Sequence, residues 1–481
     1  MDRASAVLLG LALVLGACGD DSGAPGTGGG GNPSDGGGGN PATGGGGSSA
    51  HGGGGNPENG GGGSSSGGGG NPSNGGGGSG QGGAGGDPMG GGGSGPMGSP
   101  FVSVDPAGPN FVVDGSNFYF VGSDNYTVPL MQAQGVACSA TDACATSELD
   151  AMAASGVTVV RVYGTVECGG SGYINVADGN VRCTQNSPGN VYNESGLAAL
   201  DHTVAEAKSR GMKVSLVLVS NWRDSGGMDQ YVQWANLSHH DDFYTDAGIK
   251  STFKGFVSHL LGRVNTVTGV AYADEDAIMS LDLADDPRCQ GSVYVASPQC
   301  SNATINAWAD EMAQYVKSID SHHLVTLGVA GFVNGADGNY PNIVAALGAG
   351  SWTANGSSGD FTATLDIASL DYATYQWYPE YWSLMGGAFT AWATDHITAA
   401  AAHGKPAVAQ FGELQRAVRP ATFEGWLGTI DSMNGAGAIV KAVHSNPYPD
   451  YDSFGVFYPG DSDDVAARDV MLSYASTFSM K

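Results

Sequence analysis

The sequence predicts a single (β/α)8 TIM barrel over residues 101–481, preceded by a stretch that cannot fold on its own. Three observations carry this. Residues 19–100 consist mainly of Gly, Ser, Asn and Pro and hold about half of the 82 glycines, so they lack the apolar surface that offsets chain entropy. The remaining block, about 380 residues, is long enough for one large core and contains eight short apolar, β-branched runs. Segments of helical period separate those runs, the alternation that a parallel sheet with crossover helices requires.

In chain order the strand-like runs are 118–125, 158–164, 213–221, 278–286, 324–331, 370–378, 406–412 and 437–445. Between the second and third, residues 197–210 place Leu197, Leu200, Val204 and Ala207 on one helical face, and Gly211 follows as a C-terminal cap. Ile305, Trp308, Met312, Tyr315, Val316 and Ile319 form a second helical stripe, read as core. An open doubly wound sheet is the alternative, but no GxGxxG or phosphate loop follows the first run, and no cofactor is called for. In a barrel, chemistry gathers at the C-terminal strand ends.

The formal charge is -28; the block carries 40 acidic against 17 basic residues, about -23. That field repels phosphate backbones, which disfavours nucleic acid and anionic lipid as partners and leaves neutral ligands open. At the N-terminus, Arg3 precedes a short apolar run ending in Leu15-Gly16-Ala17-Cys18, which resembles a bacterial lipoprotein signal. Residues 1–18 are therefore expected to be a signal peptide. Cys18 would become the lipidated N-terminus, and 19–100 a flexible tether in the bacterial cell envelope, on the outer surface or in the periplasm. A plain secretory signal is the alternative. Six cysteines remain, and near-neighbour spacing favours Cys138 with Cys144, Cys168 with Cys183, and Cys289 with Cys300. No CxxC pair or Cys/His cluster suggests a metal.

Longer segments carry a resemblance that periodicity does not supply. FVVDGSNFYFVGSDNY, GVTVVRVYG, GMKVSLVLVSNW, QYVQWA, IKSTFKGFVSHLLGRVNTVTGVAY, DEDAIMSLDLADDPRC, EMAQYVKSID and KPAVAQFGE together resemble the endo-β-1,4-mannanases of glycoside hydrolase family 5 across nearly all of the block. The resemblance implies a retaining glycosidase acting on a β-mannan-type polysaccharide, and a monomer is expected. One Glu after the fourth strand would be the acid/base and another on the seventh the nucleophile, with carboxyls about 5–5.5 Å apart.

Both positions depart from that pattern. Asp286 stands at the acid/base position and Asp285 replaces the helper amide; Gln410 stands at the nucleophile position, where a neutral amide is a very poor nucleophile. Gln376 aligns with the family's His after the sixth strand, and Lys441 with its Trp after the eighth. Arg161, Trp222, Trp234 and Tyr378 remain, the Arg to orient the nucleophile or pair with Asp285 or Asp286, the aromatics to pack on sugar faces or in the core. Among acids near the strand ends that could take over, Glu413 is the best placed, although its odd offset from Gln410 turns it to the other face of a continued strand.

Other clusters have plain readings. His239, His240, Asp241 and Asp242 read as a solvated loop, Asp461, Asp463 and Asp464 as the N-terminal cap of a helix over 465–478, and His322 and His323 as a helix end. Two functions follow as expectations: a tethered mannanase homologue that holds glycan with catalysis lost or strongly impaired, or an active β-glycan hydrolase using Asp286 and Glu413. A structural surface domain is a weaker third.

Overall fold

A computed structural model describes residues 98–481, apart from 130–143, 170–182, 187–188, 334–339, 349–358, 385, 447, 449 and 451. Cys18 and Cys138 lie outside the described residues. All eight expected strands form: β1 (Phe120–Asp124), β2 (Val159–Tyr163), β3 (Lys213–Val217), β4 (Ile278–Asp285), β5 (Leu324–Gly328), β6 (Ala373–Trp377), β7 (Ala407–Phe411) and β8 (Gly437–Val440). They pair in parallel in the order 5-4-3-2-1-8-7-6. The seam between β5 and β6 is bridged by Asp371 N to Val325 O (2.8 Å), Gln376 N to Ala330 O (3.0 Å) and Thr374 Oγ1 to Leu327 O (2.6 Å). The sheet is thus a nearly closed barrel.

Helices α1 (Ala145–Ala153), α2 (Glu194–Ser209), α3 (Ala247–Gly262), α4 (Asn302–Ile319), α5 (Pro341–Leu347), α6 (Phe389–Ala402), α7 (Arg419–Ser432) and α8 (Ser462–Phe478) follow the strands in turn. The α4 stripe meets the core as its period demands: Ile305, Trp308, Met312 and Val316 are fully buried, whereas Ile319 at the helix end is exposed. Trp308 packs its ring 5.3 Å from Phe243 and 5.4 Å from Phe253. Full burial of such side chains stabilises by roughly 1.5–3 kcal/mol each. The helix over 197–210 starts three residues earlier than expected, where Asn193 caps it, and Gly211 (φ +70°) ends it.

The first strand run splits. Ser116–Phe118 pairs antiparallel with Phe111–Val113, which pairs with Ser103–Val104, and β1 begins only at Phe120. Phe111 and Val102 pack with Phe120, Val159, Leu324 and Val408, at or near the N-terminal strand ends, and so plug the bottom of the barrel. The open end is left at the C-terminal side.

Cys168–Cys183 and Cys289–Cys300 form the expected disulfides. The solvated-loop reading of His239–Asp242 needs correction, because His240 and Asp241 are buried. His240 Nδ1 meets Asp229 Oδ1 at 2.6 Å and its Nε2 meets Asn221 Oδ1 at 2.9 Å, while Asp241 accepts Ser297 N and Oγ at 2.6 Å. These bonds pin the 289–300 loop to the segment after β3. Asp461 caps α8 as expected, accepting from the Asp463 and Asp464 amides.

Candidate active site

At the C-terminal strand ends lies a cleft of about 490 Å³ whose walls include Trp222, Asp285, Asp286, Gln376, Tyr378, Gln410 and Lys441. Its floor is set by Arg161 in the middle of β2. The Arg161 Nη2 donates to Asp282 Oδ2 (2.6 Å) and Asp285 Oδ1 (2.8 Å), Nε donates to Asp282 Oδ2 (3.0 Å), and Nη1 reaches Asp124 Oδ1 at 3.4 Å. Three strands thus converge on one buried guanidinium. The structure pairs Arg161 with Asp285, not with Asp286.

That convergence needs room at Gly328 on β5. A Cβ there would sit 2.8 Å from Ala284 O and 2.9 Å from both Arg161 Nη2 and Asp282 Oδ2, so glycine is required by the close approach. Burial pushes the Asp282 carboxyl up to about 6 despite Arg161. Burial likewise works against ionised Asp285, but Arg161, Lys441 and the Tyr163 hydroxyl, 2.9 Å away, outweigh it and hold this carboxyl below its ordinary value.

Asp286 follows a register shift in β4 and sits in the left-handed region (φ +48°). Asp tolerates that conformation better than most residues, at a cost of order 1 kcal/mol. Its amide is held by Gly328 O at 2.7 Å, and its Oδ2 accepts from Arg288 Nε (3.0 Å) and Trp222 Nε1 (3.2 Å). The other oxygen, Oδ1, is buried with no partner among the described residues. Burial raises the Asp286 carboxyl above its usual range, with Arg288 opposing. It is suited to carry a proton.

Across the cleft, β7 places Gln410 in register with Gln376 of β6 and Ile439 of β8. The Gln410 Nε2 donates to Asp124 Oδ2 at 2.8 Å. Lys441 Nζ also approaches Asp124 Oδ2 (3.4 Å), lies 3.9 Å from Asp452 Oδ2, and stands 5.1 Å from the Tyr126 ring centroid. Burial disfavours its charge, but Asp124, Tyr378 and Asp452 raise its pKa well above the ordinary value.

Two expected residues fall outside the cleft. Trp234 packs edge-on to Tyr231, 5.2 Å away, and against the residues around Gly189, so it serves packing at the barrel flank. Glu413, in the loop after β7 ends at Phe411, also lies outside the cleft. It lines a separate shallow pocket with Phe389 and Trp426, accepts Gln415 N at 2.9 Å, and shares a hydrogen bond with Glu380. Other residues of the site escape sequence patterns. Asp124, which the sequence reading missed, ends β1, and its place as an acid at a strand end is the signal that could have found it. Asp224, Asp452 and Trp382 reach the cleft from connections whose course no local pattern encodes. Among the described residues, no three Asp, Glu, His or Cys side chains are grouped to hold a metal ion.

The model of the family described as GH family 5 beta-mannosidase-like matches residues 99–405. The chain belongs to that family. The family match ends before β7, so Gln410 and Lys441 lie beyond it. This GH family 5 chain is 34% identical over 331 residues to mannan endo-1,4-beta-mannosidase 4 of Oryza sativa subsp. japonica, covering 66% of this chain and 65% of the rice protein. It is also 34% identical over 288 residues to mannan endo-1,4-beta-mannosidase 3 of Arabidopsis thaliana, covering 58% of this chain and 62% of that one. The chain therefore spans somewhat less than two thirds of these relatives' lengths. Among solved structures, the endo-1,4-beta-mannanase of Rhizomucor miehei matches with a TM-score of 0.64 and 31% identity, over 79% of this chain and all of that one. The endo-beta-1,4-mannanase of Thermotoga petrophila matches equally well, over 76% and 77%.

Proposed function

We propose that this GH family 5 barrel binds a β-mannan-type polysaccharide in the cleft, with hydrolysis lost or strongly impaired. The observation that carries this is Gln410, an amide at the nucleophile position, held by Asp124 at 2.8 Å. Retaining hydrolysis requires an acid to protonate the leaving oxygen and a carboxylate to attack the anomeric carbon from the opposite side. Asp286 still offers the acid, since burial raises its pKa and one of its oxygens is unpartnered. It is one methylene shorter than Glu. Gln410 offers neither negative charge nor a stable glycosyl ester.

Asp285 cannot substitute readily, because its oxygens are committed to Arg161 and the Tyr163 hydroxyl. The position of Glu413 in another pocket supports this reading over a relocated mechanism with Asp286. The cleft keeps the means of recognition: Trp222 and Tyr378 offer apolar faces, and Gln376 a neutral amide. The Leu15–Cys18 signal and the Gly-rich 19–100 segment support export and tethering to the cell envelope.

The test is reducing-end release from galactomannan, glucomannan and carboxymethylcellulose by the full chain, beside calorimetry with mannohexaose. Binding without release is expected. Turnover within the usual enzymatic range of about 1–1000 per second would sink the proposal.

A further inference from the structure

We infer that the cleft favours a β-1,4-linked chain of 2-amino-2-deoxy sugars, bearing protonated amines, over a neutral mannan; this rests on the reading above that the cleft holds a β-linked glycan. The first argument is charge. Asp224, Asp285, Asp286 and Asp452 line the cleft against two cations, Arg288 and Lys441. Directly behind them, Asp124 and Asp282 stand against Arg161. Acidic side chains therefore outnumber basic ones in both layers, and because burial raises Asp224, Asp282 and Asp286 above the ordinary range, the negative excess is fullest at neutral pH. An anionic glycan is repelled here, and a neutral one leaves the excess uncompensated.

Acid excess alone does not define a site, but two partnerless atoms do point to a ligand. Asp286, only 6% exposed, has Oδ1 without a partner, and Tyr378, 8% exposed, has a hydroxyl without one among the described residues. An unmet buried polar group costs roughly 1–3 kcal/mol, and an amino group of the glycan can meet Asp286 Oδ1 whether that carboxyl holds or releases the proton that burial favours. The Tyr378 hydroxyl suits a sugar hydroxyl.

The aromatic walls already host cations. Arg288 lies 5.5 Å from the Trp222 ring centroid and Lys441 lies 5.1 Å from that of Tyr126, so ring faces and positive charge coexist in this cleft.

Calorimetry on the full chain in near-neutral buffer compares four probes: the β-1,4-glucosamine hexamer, its N-acetylated form, mannohexaose and hexalysine. The glucosamine hexamer is expected to bind about tenfold or more tightly than the other three, with the gap narrowing at high salt. Asp224→Asn should weaken that binding several-fold while the melting temperature stays near that of the parent; if that variant does not fold, Asp452→Asn takes its place. Mannohexaose binding as tightly as the glucosamine hexamer overturns the inference and leaves the glycan cleft standing. Hexalysine binding equally well overturns it in favour of surface charge. If none of the three sugars binds, the glycan reading falls with it.

Discussion

Gln410 Nε2 donates to Asp124 Oδ2 at 2.8 Å, so the amide we propose to stand at the nucleophile position is the partner of a buried carboxylate from the opposite side of β8. Gln410 and Asp124 thus form a matched pair. Simple reversal of one breaks it.

Gln410→Glu should therefore not restore mannan hydrolysis. It sets a carboxylate about 3 Å from Asp124, and like charges that close keep a proton between them, which blunts the nucleophile. Melting temperature should fall. The triple variant Asp124→Asn, Asp286→Glu, Gln410→Glu removes the clash and supplies both carboxyls; reducing-end assays should show galactomannan cleavage by it that neither the parent nor Gln410→Glu gives. Adding Gln376→His and Lys441→Trp should raise that activity further. A cleaving Gln410→Glu single variant would refute the pairing argument.

Arg161→Met should destabilise the barrel by about 3–5 kcal/mol, since it strands Asp282 and Asp285 as buried, unpaired carboxylates. Against burial, this cation is the largest influence holding Asp285 below the ordinary 3.8, so its contribution is present above about pH 4 and lost as pH falls through the lowered pKa. The gap between variant and parent in thermal melts should be widest at neutral pH and shrink towards pH 3.

Glu167 gives the opposite slope. Burial pushes its carboxyl from 4.5 up to about 7, although the Thr165 hydroxyl and Gly227 amide favour the charged form. The folded state thus holds the proton more tightly than the unfolded one. Its stabilising effect is complete below about 4.5 and is lost as pH rises through about 7, each tenfold difference in proton affinity being worth roughly 1.4 kcal/mol. Glu167→Gln should flatten the decline in melting temperature between pH 5 and pH 8 relative to the parent. An unchanged decline would count against it.

Cys289→Ala with Cys300→Ala should lower stability by about 3 kcal/mol through the released loop entropy. The effect should extend to the cleft, because Arg288, next to the bridge, holds Asp286 Oδ2 at 3.0 Å. Mannohexaose affinity measured by calorimetry should drop along with the melting temperature. If affinity holds while stability drops, Arg288 is positioned without the bridge.

The eight strands and the two bridged cysteine pairs were legible in the chain before any contact was known, and the resemblance to the family then marked Arg161 on β2 and Asp285, Asp286, Gln376, Gln410 and Lys441 at or near strand ends. Those features are local or periodic: a strand places every second side chain in the barrel, and consecutive strands pair, so a residue at a strand end is delivered to the mouth whatever the connections do. Long-range packing settled the remainder. It sent Glu413 and Trp234 away from the cleft, buried His240 and Asp241 in a network that fastens a loop, split Phe118 from β1, and brought Asp224 and Asp452 to the rim. It also chose Asp285 over Asp286 as the partner of Arg161, through the register shift in β4 that turns Asp286 into the left-handed region. These outcomes depend on contacts between residues tens to hundreds of positions apart, such as Gln410 with Asp124, and no local pattern in the chain encodes which of the available partners lies within hydrogen-bond reach.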